Sequence, residues 1–410
     1  MAKQSTCAAE RSSTQFNAVF LSANGNLRPC QAAASDLCAG SVGASIVQFV
    51  MRRGAQFGLL FLLPLLLLFP LQAGARPQYG STYGPLPVFE LHSGFWVNLH
   101  HTLYHEARQR AAASAPDNTS KASGPPLKIA PEAKPTLTAS EQKSWDDAVT
   151  YYAANYTGKD LLFSTELIQL KDQLGDFEDC DELSGRKRKF CDAGMPAKLT
   201  QVLESAASIY RAHLWPQHDR ANRRWILRVA PLVREQGVGL SERLADIYQT
   251  RWPREKIRVD VSAYANWAGA YTTVDPLRVT ISSLDSRNQG PEALEVLFHE
   301  ASHGIAEPVQ AAIIRECRQR DKAIPRDLWH ALVFYTTGEV IRPVLASSGE
   351  TAGDRDGSVP GGGYTPYAVR EGLYQRGWND YFKLLQRFWQ PYLDGHATFD
   401  DAVARMVSSL

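Results

Sequence analysis

One pentapeptide constrains this chain more than any other stretch: His299-Glu300-Ala301-Ser302-His303, of the form H-E-x-x-H. On a helix, two histidines four residues apart project from one face with their Cβ atoms about 5–6 Å apart. That spacing lets two imidazoles share one Zn²⁺ while the intervening glutamate reaches a water at the metal. The flanks favour a helix. Pro291 stands where a first turn tolerates proline, and Glu292 and Glu295 lie near the positive end of the helix dipole. Leu294, Leu297, Phe298, Ala301 and Ile305 form an apolar stripe, with His299 and His303 on the opposite side. One face therefore packs on a core and the other lines a cleft.

The 410 residues allow two or three domains. With 44 basic and 43 acidic side chains the net charge is +1, so no charge excess steers the chain toward nucleic acid or an anionic membrane. Residues 51–75 read as a secretory signal peptide, with Arg52-Arg53, an apolar run from Gly58 to Leu71, and Ala73-Gly74-Ala75 as cleavage site. The apolar run falls short of the roughly 20 residues a spanning helix needs, so no stable membrane anchor is expected after cleavage. Residues 1–50 show no periodicity and precede a segment with its own methionine. They read as an over-long start or a disordered extension.

An exported, secreted or periplasmic chain gives its cysteines meaning. Cys180 and Cys191 are close enough in sequence to close a small disulfide loop, and Cys317 reads as a free structural thiol. Residues 76–112 read as an N-terminal helical segment. There His101 and His105 share the four-residue spacing, but Thr102 stands where a catalytic glutamate would be. Residues 113–137 are a Pro/Ser/Lys linker, with sequons at Asn118 and Asn155 relevant only to a secreted eukaryotic protein. Residues 138–252 read as a helical domain, with helices near 140–155, 160–174, 198–213, 220–236 and 240–250.

Across 256–283 the period changes to two. Ile257, Val259, Val261 and Ala263 alternate, as do Leu277, Val279 and Ile281, with Asp275-Pro276 marking a turn. The expected fold is α+β and mostly helical. A small antiparallel sheet leads into a two-helix zinc core at 253–345, followed by a Gly-rich loop at 346–365 and C-terminal helices at 366–410.

The H-E-x-x-H stretch resembles the zinc metallopeptidases of that signature. Val309 stands where the metzincin branch places a third histidine, so the resemblance is to the gluzincin, thermolysin-like branch, over residues 255–345. That branch implies a third ligand, a glutamate from a later helix. Glu339, 36 residues after His303, fits that role in a helix expected to start at Pro325. Leu328, Leu332, Tyr335 and Glu339 follow one face, where a buried carboxylate needs a partner: a zinc ion, or an arginine such as Arg342 or Arg370. Gly338 points to close approach by the metal helix, and His330 is a second-shell candidate or a core histidine. Glu307 is a rival ligand just before the helix-ending Pro308.

The resemblance further implies an edge strand that pairs with a bound peptide, for which Asn266 to Tyr271 is the candidate. It also implies a tyrosine that stabilises the oxyanion, Tyr364 or Tyr367. The expected function is thus a secreted zinc peptidase of peptide or protein substrates. His299, His303 and Glu339 hold Zn²⁺, and Glu300 is the general base. The alternatives are an exported protein with a structural zinc site, or a binding protein with a chance motif.

Overall fold

The computed structural model describes residues 86–114, 127–132, 135–347 and 363–410. The expected signal peptide, the 1–50 extension, Asn118 and positions 348–362 of the Gly-rich loop lie outside these residues. No helix among the described residues is long and apolar enough to cross a membrane.

Four strands form one sheet: β1 (Phe89–His92), β2 (Ile257–Ser262), β3 (Ala270–Val274) and β4 (Leu277–Ser282), in the order β1-β2-β4-β3. The α+β, mostly helical class holds. The expectation of an antiparallel sheet does not, because β1 and β4 both run parallel to β2 and only β3 is antiparallel, to β4. β1 lies in the segment read as purely helical. It joins β2 only after a long helical crossover, a connection that delivers a parallel strand and leaves no local signal.

Period-two alternation gives the sheet two unlike faces. Ile257, Val259, Val261, Val279 and Ile281 are buried in a core with helices α5 (Trp215–Ile247), α6 (Glu292–Ser302) and α8 (Leu328–Ser347). Arg258, Asp260, Arg278 and Thr273 occupy the other face, under α1 (Phe95–Ser114) and α3 (Thr165–Asp176). Its charges are paired there, as burial requires: Lys171 with Asp172 at 2.9 Å and Arg258 with Asp260 at 2.8 Å. A second core forms where α1 and α3 meet α2 (Ala139–Tyr156) and α4 (Ala197–His213). α2 starts on a capping box in which Thr138 and Glu141 satisfy each other's backbone N–H groups.

α5 is one helix where two were expected. Gly237 reads as a break, but a Cβ there would come within 3.2 Å of Val88 and 3.3 Å of Pro87. The glycine serves close packing against the chain leading into β1, and the buried stripe Trp225, Val229, Val233, Leu240 and Leu244 carries the helix past Pro231. The described part of the 113–137 linker is docked: Lys128 O accepts from Ser286 N–H at 2.9 Å and Glu132 accepts from Gln217 at 2.8 Å. Cys180 and Cys191 are bonded, and Cys317 is free and buried.

After α6 come α7 (Glu307–Gln319) and α8, then the short helices α9 (Tyr367–Arg370), α10 (Asn379–Leu384) and α11 (Gln390–Leu393), and last α12 (Phe399–Ser408).

Candidate metal centre

α6 lies on the apolar face of the sheet and presents His299 and His303. Its regular turns end at Ser302, yet His303 keeps helical dihedrals (φ −57°, ψ −31°), so the four-residue spacing still sets both rings on one side. α8 packs across α6 and brings a third imidazole from its first turn, His330. One ring nitrogen from each of the three lies within 4.8 Å of the others.

The Nε2 atoms of His299 and His303 are 3.3 Å apart. That is long for an N–H···N hydrogen bond. It matches the separation of about 3.3 Å between two nitrogens that share a tetrahedral metal at 2.0–2.1 Å. Burial drives the His299 and His303 pKa values well below the ordinary range and that of His330 down to about 4. All three are therefore neutral near pH 7, which is the ligating form. The donor set and its protonation state both fit a metal ion.

Aromatic rings wall the group. Phe334 stacks on His299 at 3.6 Å, Trp329 lies edge-on to His303 at 5.6 Å, and Trp378 lies 5.4 Å from His330. His299 is buried, while His303 and His330 reach the surface. Hollows of about 510 Å³ beside Arg186 and Glu204 and about 490 Å³ along α7 are lined by none of the three histidines.

Glu300 is buried, 8% exposed, against β3. Thr272 Oγ1 stands 2.7 Å from its Oε2 and 2.8 Å from its main-chain oxygen. Burial raises the Glu300 carboxyl to about 7, with Thr272 opposing. Among the described residues no group bonds to Oε1.

The structure does not bring Glu339 into the group. Glu339 lies nine residues after His330, which at 3.6 residues per turn is half a turn round the helix. Its carboxylate pairs with Arg342. The Leu328–Leu332–Tyr335–Glu339 stripe faces the C-terminal helices, where Tyr335 donates to Gln390 at 2.7 Å. Arg342, the arginine weighed as the alternative, is the partner found. Glu307 is exposed at the start of α7.

Tyr364 and Tyr367 are engaged elsewhere than at the histidines. Tyr364 donates its hydroxyl to Glu295 Oε2 at 2.6 Å, and the Tyr367 backbone N–H donates to both oxygens of the same carboxylate at 2.9 and 3.0 Å. Tyr367 adds its ring to the wall, stacked on Phe334 at 5.9 Å. A Cβ at Gly338 would meet Pro366 at 2.6 Å and Glu295 Oε1 at 3.2 Å, so the expected close approach is real and involves both α6 and the segment before α9. Burial pushes Glu295 up to about 7, against the Tyr364 and Tyr367 hydrogen bonds.

His101 and His105 form no second centre. His101 bonds to Val97 O and to the Tyr271 hydroxyl, while His105 stacks on Tyr264 at 4.1 Å.

Sequence reasoning named His330 without giving it the third position. The available signal was its place on the face of α8 that also carries Phe334, four residues on. Thr272 had no sequence signal beyond its place in an alternating strand. Comparison with protein-family models, with curated proteins and with solved structures finds no match to this chain.

Proposed function

We propose that this protein is an exported, zinc-dependent hydrolase of peptide bonds, with His299, His303 and His330 as zinc ligands and Glu300 as general base. The observation that carries this reading is three neutral imidazoles that converge, two of them from the helix whose Glu300 carboxylate is held by Thr272. Three nitrogen donors with room for a fourth partner suit a catalytic zinc. A zinc ion there would supply Lewis acidity at the reacting carbonyl and acidify the attacking water. Histidine replaces the gluzincin glutamate, so the reading keeps the H-E-x-x-H class and gives up that ligand set.

Glu300 takes the water's proton at Oε1 and returns it to the leaving amine. The Trp329, Phe334 and Trp378 rings exclude water from one side and seat apolar parts of a substrate. β3 is one of the two edge strands, and of the expected edge segment Asn266 to Tyr271 only Ala270 and Tyr271 lie in it. Because Ser282 N–H donates to Gly269 O, strand alternation turns the backbone groups of Ala270 and Thr272 away from β4. Export rests on residues 51–75 and agrees with the Cys180–Cys191 bond.

The deciding experiment is metal content per chain together with cleavage of a peptide library. The expected result is one zinc per chain and cleavage that a chelator abolishes and zinc restores. A chain that purifies and reconstitutes without stoichiometric metal, or a loaded chain that cleaves nothing in the library, overturns the reading.

A further inference from the structure

The Thr272 side chain faces α6 from a position where packing alone would suit valine. Its neighbours on that face are Ala270 and, across the pair, Val279 and Ile281, all apolar and buried. Both contacts of its hydroxyl go to one residue, Glu300, at the carboxyl Oε2 and the main-chain oxygen. That main-chain oxygen belongs to the last turn of α6 and also accepts from His303 N–H at 3.2 Å. Thr272 therefore holds the end of the helix and the carboxyl together.

β3 itself is held on its other face. Tyr271, the residue before, points the opposite way and bonds through its hydroxyl to His101 Nε2 at 2.9 Å, and Thr273 Oγ1 accepts from buried Lys171 at 3.0 Å. A one-residue slip of β3 would exchange these faces and break every one of these contacts, so the register is locked. The Thr272 hydroxyl is thus a fixed point, and it makes the two Glu300 oxygens unlike: Oε2 is tethered, and Oε1 bonds to no described group.

We propose that Thr272 is a positioning residue for Glu300, tethering Oε2 so that Oε1 faces the attacking water. The proposal rests on the hydrolase reading above for its role in the reaction. The same residue turns its backbone groups away from β4, so one residue joins the outer side of an edge strand to the carboxylate that activates water.

The test compares Thr272→Val, which keeps shape and removes the hydroxyl, with Thr272→Ser, which keeps the hydroxyl, and adds Thr272→Ala should the valine variant fold poorly. Two readouts are taken on the zinc-loaded full chain. The first is carbodiimide labelling of Glu300 read by mass spectrometry, which needs no substrate. Labelling should rise several-fold in the valine and alanine variants and stay at the wild-type level in the serine variant. The second is steady-state cleavage: kcat should fall about tenfold or more without the hydroxyl, KM should change little, and serine should restore most of the rate. Zinc content should be equal in all. Unchanged labelling and kcat in Thr272→Val overturn the proposal, as does equal loss in the serine and valine variants, which would mark a packing role. If the wild type cleaves nothing, the hydrolase reading falls while the labelling still decides whether Thr272 tethers Glu300.

Discussion

The ring of Phe334 lies on the imidazole of His299 with centroids 3.6 Å apart and planes 17° from parallel. A ligating histidine usually has its second nitrogen fixed by a hydrogen-bond acceptor. His299 Nδ1 is buried and has no such partner. The stack, extended by Tyr367 over Phe334, orients the ring instead. Phe334→Leu keeps apolar volume and removes the flat surface, so zinc affinity should fall about tenfold, the lower end of the effect of losing an orienting partner. Chelator competition measures it, and Phe334→Tyr should restore most of the loss. An unchanged affinity in Phe334→Leu would show that α6 alone orients His299.

The ligand set makes a second prediction. His330→Ala should lose stoichiometric zinc after dialysis against a weak chelator, while Glu339→Ala should keep it, because Glu339 faces the other side of α8 and pairs with Arg342. Zinc retained by the His330 variant and lost by the Glu339 variant would return the third position to glutamate.

Glu300→Gln is nearly isosteric and keeps an oxygen for Thr272, but it cannot take a proton. Zinc content should match the wild type, and kcat should fall by about 10²–10⁴, the range of general acid–base contributions. Near-full activity in this variant would remove Glu300 from the role of base.

Glu295 predicts a pH dependence of stability. Burial raises its folded-state value to about 7 from the ordinary 4.5, so the folded chain holds this proton more tightly than the unfolded chain. Its contribution is complete below about pH 4.5 and is lost as pH rises through about 7, at most about 3 kcal/mol in all. Glu300 is raised in the same sense, so Glu295→Gln should remove only part of the slope. Denaturant midpoints from pH 5 to 8.5 test this. A variant that loses stability over that range as steeply as the wild type would show that Glu295 is not a proton holder.

Removing the disulfide by Cys180→Ser with Cys191→Ser should cost about 2–4 kcal/mol, because the unfolded chain regains the freedom of a closed loop. The loop lies in the part of the chain that packs α4 and α1, away from the histidines, so zinc content should be unchanged. Zinc loss in parallel with the stability loss would instead couple the two regions.

The sequence by itself determined what local periodicity determines. A 3.6-residue repeat puts His299 and His303 on one side of a helix wherever that helix packs, and strand alternation gives β2 and β4 their apolar faces. The eleven-residue spacing of Cys180 and Cys191 made their pairing legible too. Only the tertiary structure decided which face of α8 meets α6. Along that helix the His330–Phe334 face and the Tyr335–Glu339 face are both rich in apolar side chains, and a helix that is apolar nearly all round carries no label for its partners. The choice brought a third histidine beside His299 and His303 and sent a glutamate to an arginine. The parallel pairing of β1 with β2 and the reach of Thr272 to Glu300 are of the same kind. A periodic pattern states which side chains share a face, and long-range packing states what that face touches.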